Sequence, residues 1–149
     1  MRRTCCVLFM LLLLPGATEE LAAQQVGGAE SSGQRASGFT LEQNRPNPFN
    51  PETRIPFVLD ETLFVDGRPA VVSIRIFNAL QQFVATPTAL NHAMGQGVDV
   101  VDLEYRNAGR FEAYWDGRDR RGDSVASGIY FLQLIVNGKS QIRRMLVAK

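Results

Sequence analysis

The stretch "IYFLQLIVNGKSQIRRMLV", residues 129–147, decides the fold. In its first half Tyr130, Leu132, Leu134 and Val136 alternate with the residues between them. A period of two puts these four on one face of an extended chain, the pattern of a half-buried strand. Asn137-Gly138 follows, two residues that tolerate the positive φ of a tight hairpin turn. A second apolar run, "QIRRMLV", comes next, and the pattern leaves its inward face open. The segment predicts two antiparallel strands joined by a two-residue turn.

The same alternation recurs toward the N-terminus. "FEAYW" groups Phe111, Ala113 and Trp115 against Glu112 and Tyr114. "VVSIRIF" groups Val72, Ile74 and Ile76 against Ser73 and Arg75, and "TRIPFVL" groups Ile55, Phe57 and Leu59. "QQFVAT" is a shorter strand candidate. Clusters of Gly, Pro, Asn and Asp separate these runs, and no window of about eleven residues carries a helical stripe. The expected class is all-β: an antiparallel β-sandwich of immunoglobulin-like size. Residues 116–129 read as a loop between the Trp115 and Tyr130 strands. Residues 87–109 read as a long connection with a strand over 98–103, a length that is often functional.

The chain has 149 residues, 45% hydrophobic and 21% charged, with net charge +1. These values fit one globular domain. So small a net charge gives no electrostatic case for nucleic acid or an anionic membrane. The opening "MRRTCCVLFMLLLLPGA" sets two arginines before an apolar run and then Pro15-Gly16, the layout of a secretory signal peptide cleaved after Ala17 or Ala23. The run is about half the ~20 residues a spanning helix needs, so no transmembrane segment is expected in the mature chain. Cys5 and Cys6 are the only cysteines and both lie in this leader. The mature domain is therefore expected to rest on an apolar core with no disulfide or Cys-based metal site. The expected organisation is a leader over residues 1–23, a Gly/Ser/Gln-rich linker over 24–38, and the sandwich over 39–149.

"RPNPFNPETRIPF", residues 45–57, sets Pro46, Pro48 and Pro51 around Phe49. Proline fixes φ and lacks an N–H donor, which excludes a helix or central strand and predicts a stiff polyproline-like bend. Asn47 and Asn50 can close local turns through their side chains. Phe49 is expected to plug one end of the sandwich. A proline-rich ligand for a partner groove is the sharper, less favoured reading.

Four stretches now stand in order: "NRPNPFNPETRIPFVL", "VSIRIFNALQQFVAT", "YWDGRDRRGDSVASGIYFLQL" and "RRMLVAK". Together they resemble the type A C-terminal sorting domain of the type IX secretion system, and the related immunoglobulin-like domain of flagellar hook-capping proteins. The resemblance covers residues 41–149. The residues that carry it are Pro46, Asn47, Pro48, Phe49, Asn50, Pro51, Trp115, Asp116, Gly117, Gly128 and Tyr130. The family's terminal motif maps onto Arg144, Met145, Leu146, Val147 and Lys149. The resemblance implies a non-catalytic domain that directs export across the outer membrane, with the secretion translocon and a surface sortase as partners and the cell surface or medium as destination. An end strand paired on one side only could offer its free edge and terminal carboxylate to a receptor. Residues 87–109 depart from the shortest family members. A sorting domain normally trails a large cargo, whereas here only the linker follows the leader. The alternative is therefore a stand-alone extracellular module that binds protein or glycan through its long loop.

Chemical candidates are few. His92 is the only histidine and reads as a solvated loop residue, without a second His or a Cys to build a metal site or a nucleophile–base pair. Asp116, Asp119 and Asp123 lack the alternate-residue spacing of a calcium loop and sit among Arg118, Arg120 and Arg121. "RGD", residues 121–123, reads as a polar turn in preference to an adhesion site. Trp115 shares its face with core residues. A glycosidase-type carboxylate pair about 5–10 Å apart across a cleft cannot be drawn from turn aspartates. No catalytic residue, cofactor or metal is expected.

Overall fold

The computed structural model describes residues 37–149. The expected leader, and the linker up to residue 36, lie outside the described residues. Ser37 and Gly38, read as the end of the linker, already belong to the fold: the Gly38 carbonyl accepts from Asp60 N–H at 2.9 Å.

Among the described residues, nine strands make two antiparallel sheets, an arrangement consistent with a β-sandwich. The first sheet holds β1 (Phe39–Leu41), β2 (Thr53–Leu59), β7 (Gly109–Trp115) and β5 (Thr88–Leu90), in the order β1-β2-β7-β5. The second holds β4 (Phe83–Ala85), β3 (Ala70–Asn78), β8 (Gly128–Val136) and β9 (Lys139–Val147), in the order β4-β3-β8-β9, with β6 (Leu103–Tyr105) also paired to β3. A short 3-10 turn, Glu61–Leu63, follows β2.

The alternation accounts for the core. Ile55, Phe57 and Leu59 of β2, Val72, Ile74 and Ile76 of β3, and Leu132, Leu134 and Val136 of β8 are all buried in one cluster. Phe57 of the first sheet meets Tyr105 of the second edge-on at 5.7 Å between centroids, so the two inner faces share that core. Pro56 sits in a strand with neighbours on both sides without breaking it. Its carbonyl accepts from Glu42 N–H at 3.0 Å, just past the end of β1, so its missing donor would point where the ladder has already stopped.

The β8–β9 hairpin turns on Asn137 (φ 49°) and Gly138 (φ 83°), and Val136 pairs with Lys139. The register settles the inward face of β9: Met145 and Val147 are buried, while Ile142 and Leu146 are exposed. Residues 87–109 are built into both sheets and do not form one loose connection. β5 joins β7, and β6 joins β3. The strand expected over 98–103 is broken, because Asp102 adopts φ 47°. Its first part makes isolated bonds, Ala89 N–H to Val98 O at 2.7 Å and Ile74 N–H to Val100 O at 2.9 Å, and Val100 is fully buried between the sheets.

Candidate functional site

Where a polyproline-like course is expected, the proline motif is a closed loop. Arg45 and Arg54 exchange backbone bonds of 2.8 and 2.9 Å across its base. Inside, the buried Asn44 amide donates to Pro46 O and to Thr53 Oγ1, both at 3.0 Å, and the Thr53 hydroxyl donates to Pro46 O at 3.0 Å. These two polar side chains fold the chain back on itself, which a run of local φ preferences does not reveal. The Arg45–Pro46, Asn47–Pro48 and Asn50–Pro51 bonds are cis.

The loop places Phe49 at 1% exposure, its ring tilted against Trp115 at 5.4 Å. Trp115 in turn meets Tyr130 edge-on at 5.8 Å. Both polar tips are satisfied: the indole N–H donates to Arg118 O and the phenol to Ala126 O, each at 2.9 Å. Burial pushes the Tyr130 phenol above its ordinary value. Trp115 is thus a core residue.

Beyond Trp115 the chain turns sharply. Asp116 Oδ1 accepts from Arg118 N–H at 3.0 Å, and Gly117 sits at φ +73° against the Pro51 carbonyl, which a Cβ would overlap. Only glycine lets these two loops touch. Asp119 then organises the next turn. Its Oδ1 accepts from Arg121 N–H at 2.8 Å and Asp123 N–H at 3.0 Å, and these two donors hold the carboxyl below its ordinary value. Arg121 pairs with Asp119 at 3.4 Å and Asp123 at 3.7 Å, so the Arg-Gly-Asp sequence forms an exposed polar turn. No group of three or more His, Cys, Asp or Glu able to hold a metal occurs among the described residues.

The outer edge of β9 is not free. Phe49 N–H donates to Leu146 O and Ala148 N–H donates to Phe49 O, both at 3.0 Å, forming a short parallel bridge. Asn47 Oδ1 accepts from Leu146 N–H at 2.9 Å. Gln43 donates to Arg144 O at 3.0 Å. Farther along, the Gln141 side chain spans to β1, accepting from Leu41 N–H and donating to Phe39 O, each at 2.8 Å, while Arg143 donates to Leu41 O at 3.0 Å. The expected free edge is therefore corrected: residues about a hundred positions away in the chain already occupy its C-terminal part, from Arg144 to Ala148. Of the terminal motif, Met145 and Val147 lie in the core, while Arg144, Leu146 and Lys149 are exposed. Lys149 N–H donates to Ser127 Oγ at 3.1 Å, one residue before Gly128, which opens β8 opposite Val147. Asn50 and Pro51 complete the loop on the exposed side.

His92 is a partly buried loop residue held by two hydrogen bonds at the surface. Met94 N–H donates to its Nδ1 at 3.1 Å and its Nε2 lies 2.9 Å from Glu104 O, which sets Nε2 as the protonated nitrogen. Its ring rests edge-on against Tyr105 at 4.8 Å.

No family model matches the chain, and no curated protein matches it. Among solved structures it is similar to PorZ. That protein is an essential bacterial surface component of the type IX secretion system of the oral bacterium Porphyromonas gingivalis. The likeness is distant and partial: 20% identity and a TM-score of 0.43, over 82% of this chain and 13% of that one. The chain thus spans a small fraction of PorZ's length. No helix among the described residues is long and apolar enough to cross a membrane.

Proposed function

We propose that this chain is an exported, non-catalytic immunoglobulin-like domain that acts as a C-terminal sorting and surface-attachment module of the type IX secretion system. The translocon and a surface sortase are its partners, and the cell surface or medium is its destination. The observation that carries the reading is the meeting of the separate motifs at one end of the fold. Asn47 and Phe49 bond Leu146 and Ala148, Gly117 abuts Pro51, and Trp115 lies between Phe49 and Tyr130. A receptor would meet this as a folded end. Arg144, Leu146 and Lys149 would be presented in fixed positions, and Met145 and Val147 would anchor the strand that carries them. A domain that needs no disulfide can form wherever its core can collapse.

The alternative, an adhesive module that uses its long loop, would rest on residues 91–102, since β5 and β6 tie the two ends of the segment into the sheets.

The test is export of a reporter fused to this domain in a host with the pathway. Removal of residues 143–149 should abolish export. Asn47→Ala with Phe49→Ala, which leaves the tail sequence intact, should reduce it. Undiminished export of the truncated fusion would refute the reading.

A further inference from the structure

The outward face of the second sheet carries an apolar strip that the core does not use. Phe77, Phe131 and Arg144 lie in one cross-strand row, Arg75, Gln133 and Ile142 in the next, and Ile129 and Leu146 flank them. Ile142 is 59% exposed, Ile129 43% and Leu146 40%. Phe83 extends the strip, meeting Phe77 at 6.0 Å. A groove of about 440 Å³ opens here between Phe77, Gln81, Phe131, Gln133 and Ile142.

The charge on this face is unbalanced. Arg45, Arg54, Arg106, Arg110, Arg118 and Arg121 all have carboxylate partners. Arg75 and Arg144 have none among the described residues, and Arg120 lies over the Phe83 ring at 5.1 Å. Two carboxylates stand toward the β6 end of the face, neither within ion-pair distance of Arg75 or Arg144. Asp102 accepts the Ser73 hydroxyl at 3.0 Å, and Glu104 pairs with Arg106 at 3.4 Å.

We propose that this face docks an acidic, apolar peptide segment of a partner protein, with its aromatic or aliphatic side chains in the groove and its carboxylates on Arg75 and Arg144. Charge complementarity selects the occupant. A second copy of the chain would set unpaired arginines against arginines, which like-charge repulsion opposes. A lipid surface would leave the amides of Gln81 and Gln133 facing acyl chains, whereas a peptide backbone supplies donors and acceptors for both. The groove wall is also preformed. Asn78 Oδ1 accepts from Leu80 N–H at 3.0 Å and Gln82 N–H at 2.9 Å, which fixes the turn that carries Gln81. The inference goes beyond the sorting reading and does not need it, since the binding is measured on the isolated protein.

The test is fluorescence anisotropy of the purified chain with a labelled decapeptide of alternating Phe and Glu. A Phe/Lys peptide and phosphatidylglycerol vesicles serve as comparisons. Saturable binding of the acidic peptide that weakens with salt is expected. Arg75→Gln and Arg144→Gln should each weaken it about 2–5-fold, and the pair about tenfold. Both side chains lack partners, so circular dichroism should show the variants folded. The proposal is overturned by no binding, by equal binding of the lysine peptide, or by a double variant that binds as tightly as the parent. Binding to vesicles alone would reassign the face to lipid, and self-association that displaces the peptide would reassign it to a second copy.

Discussion

Replacing Phe49 by alanine probes the joint between the proline loop and the rest of the molecule. The side chain is 1% exposed and its ring centroid lies 5.4 Å from that of Trp115. Loss of the ring removes its burial and leaves a cavity, at a cost of about 3–5 kcal/mol for a core Phe→Ala change. Of this, about 0.5–1.5 kcal/mol belongs to the aromatic pair. A domain of about 110 residues loses roughly 4 °C of melting temperature per kcal/mol, so the midpoint should fall by about 12–20 °C. Calorimetry reads this directly. A double-mutant cycle with Trp115→Leu should return a coupling of about 0.5–1.5 kcal/mol. A fall of less than about 4 °C would mean that the ring is not part of the core, and the reasoning fails there.

Other outcomes follow from the same end of the fold and from one buried phenol. Gly117→Ala must clear the Pro51 carbonyl and adopt φ near +73°, so it should lose about 2–4 kcal/mol in denaturant unfolding. A tolerated alanine would contradict the contact between the two loops. Burial pushes Tyr105 up to about 12 from 10.0. The folded state holds the neutral phenol, so this contribution to stability is complete below about pH 10 and is lost as pH rises through about 12. Tyrosinate absorbance should show a late ionisation step that Tyr105→Phe removes. If the step survives that substitution, it belongs to another tyrosine.

The long strands were legible because each buries one face, which writes a period of two into β2, β3, β7 and β8, whereas β9 showed as an apolar run whose inward face only the register settles. Asn137-Gly138 marked its turn for an equally local reason. β5 and β6 were not legible, because three residues are too few to show a period, and Asp102 interrupts the apolar run between them. The proline loop was legible as a corner around Phe49, but its course depends on Asn44 and Thr53 bonding to one carbonyl. The edge of β9 was misread for the same kind of reason. Asn47 and Leu146 are separated by 99 residues, and no local pattern reports a hydrogen bond at that range. That Arg75 and Arg144 share one face follows only from the register, which sets them in neighbouring rows.

Amide hydrogen exchange along β9 tests the central claim, that the proline loop holds the C-terminal strand by its outer edge. The N–H groups of Ile142 and Leu146 point away from β8, as alternation in an antiparallel ladder requires. Leu146 bonds to Asn47 and Ala148 bonds to Phe49, while Ile142 has no such partner among the described residues. Leu146 and Ala148 should exchange much more slowly than Ile142, and Asn47→Ala should release Leu146. Equally fast exchange at all three would show an open edge and contradict the account.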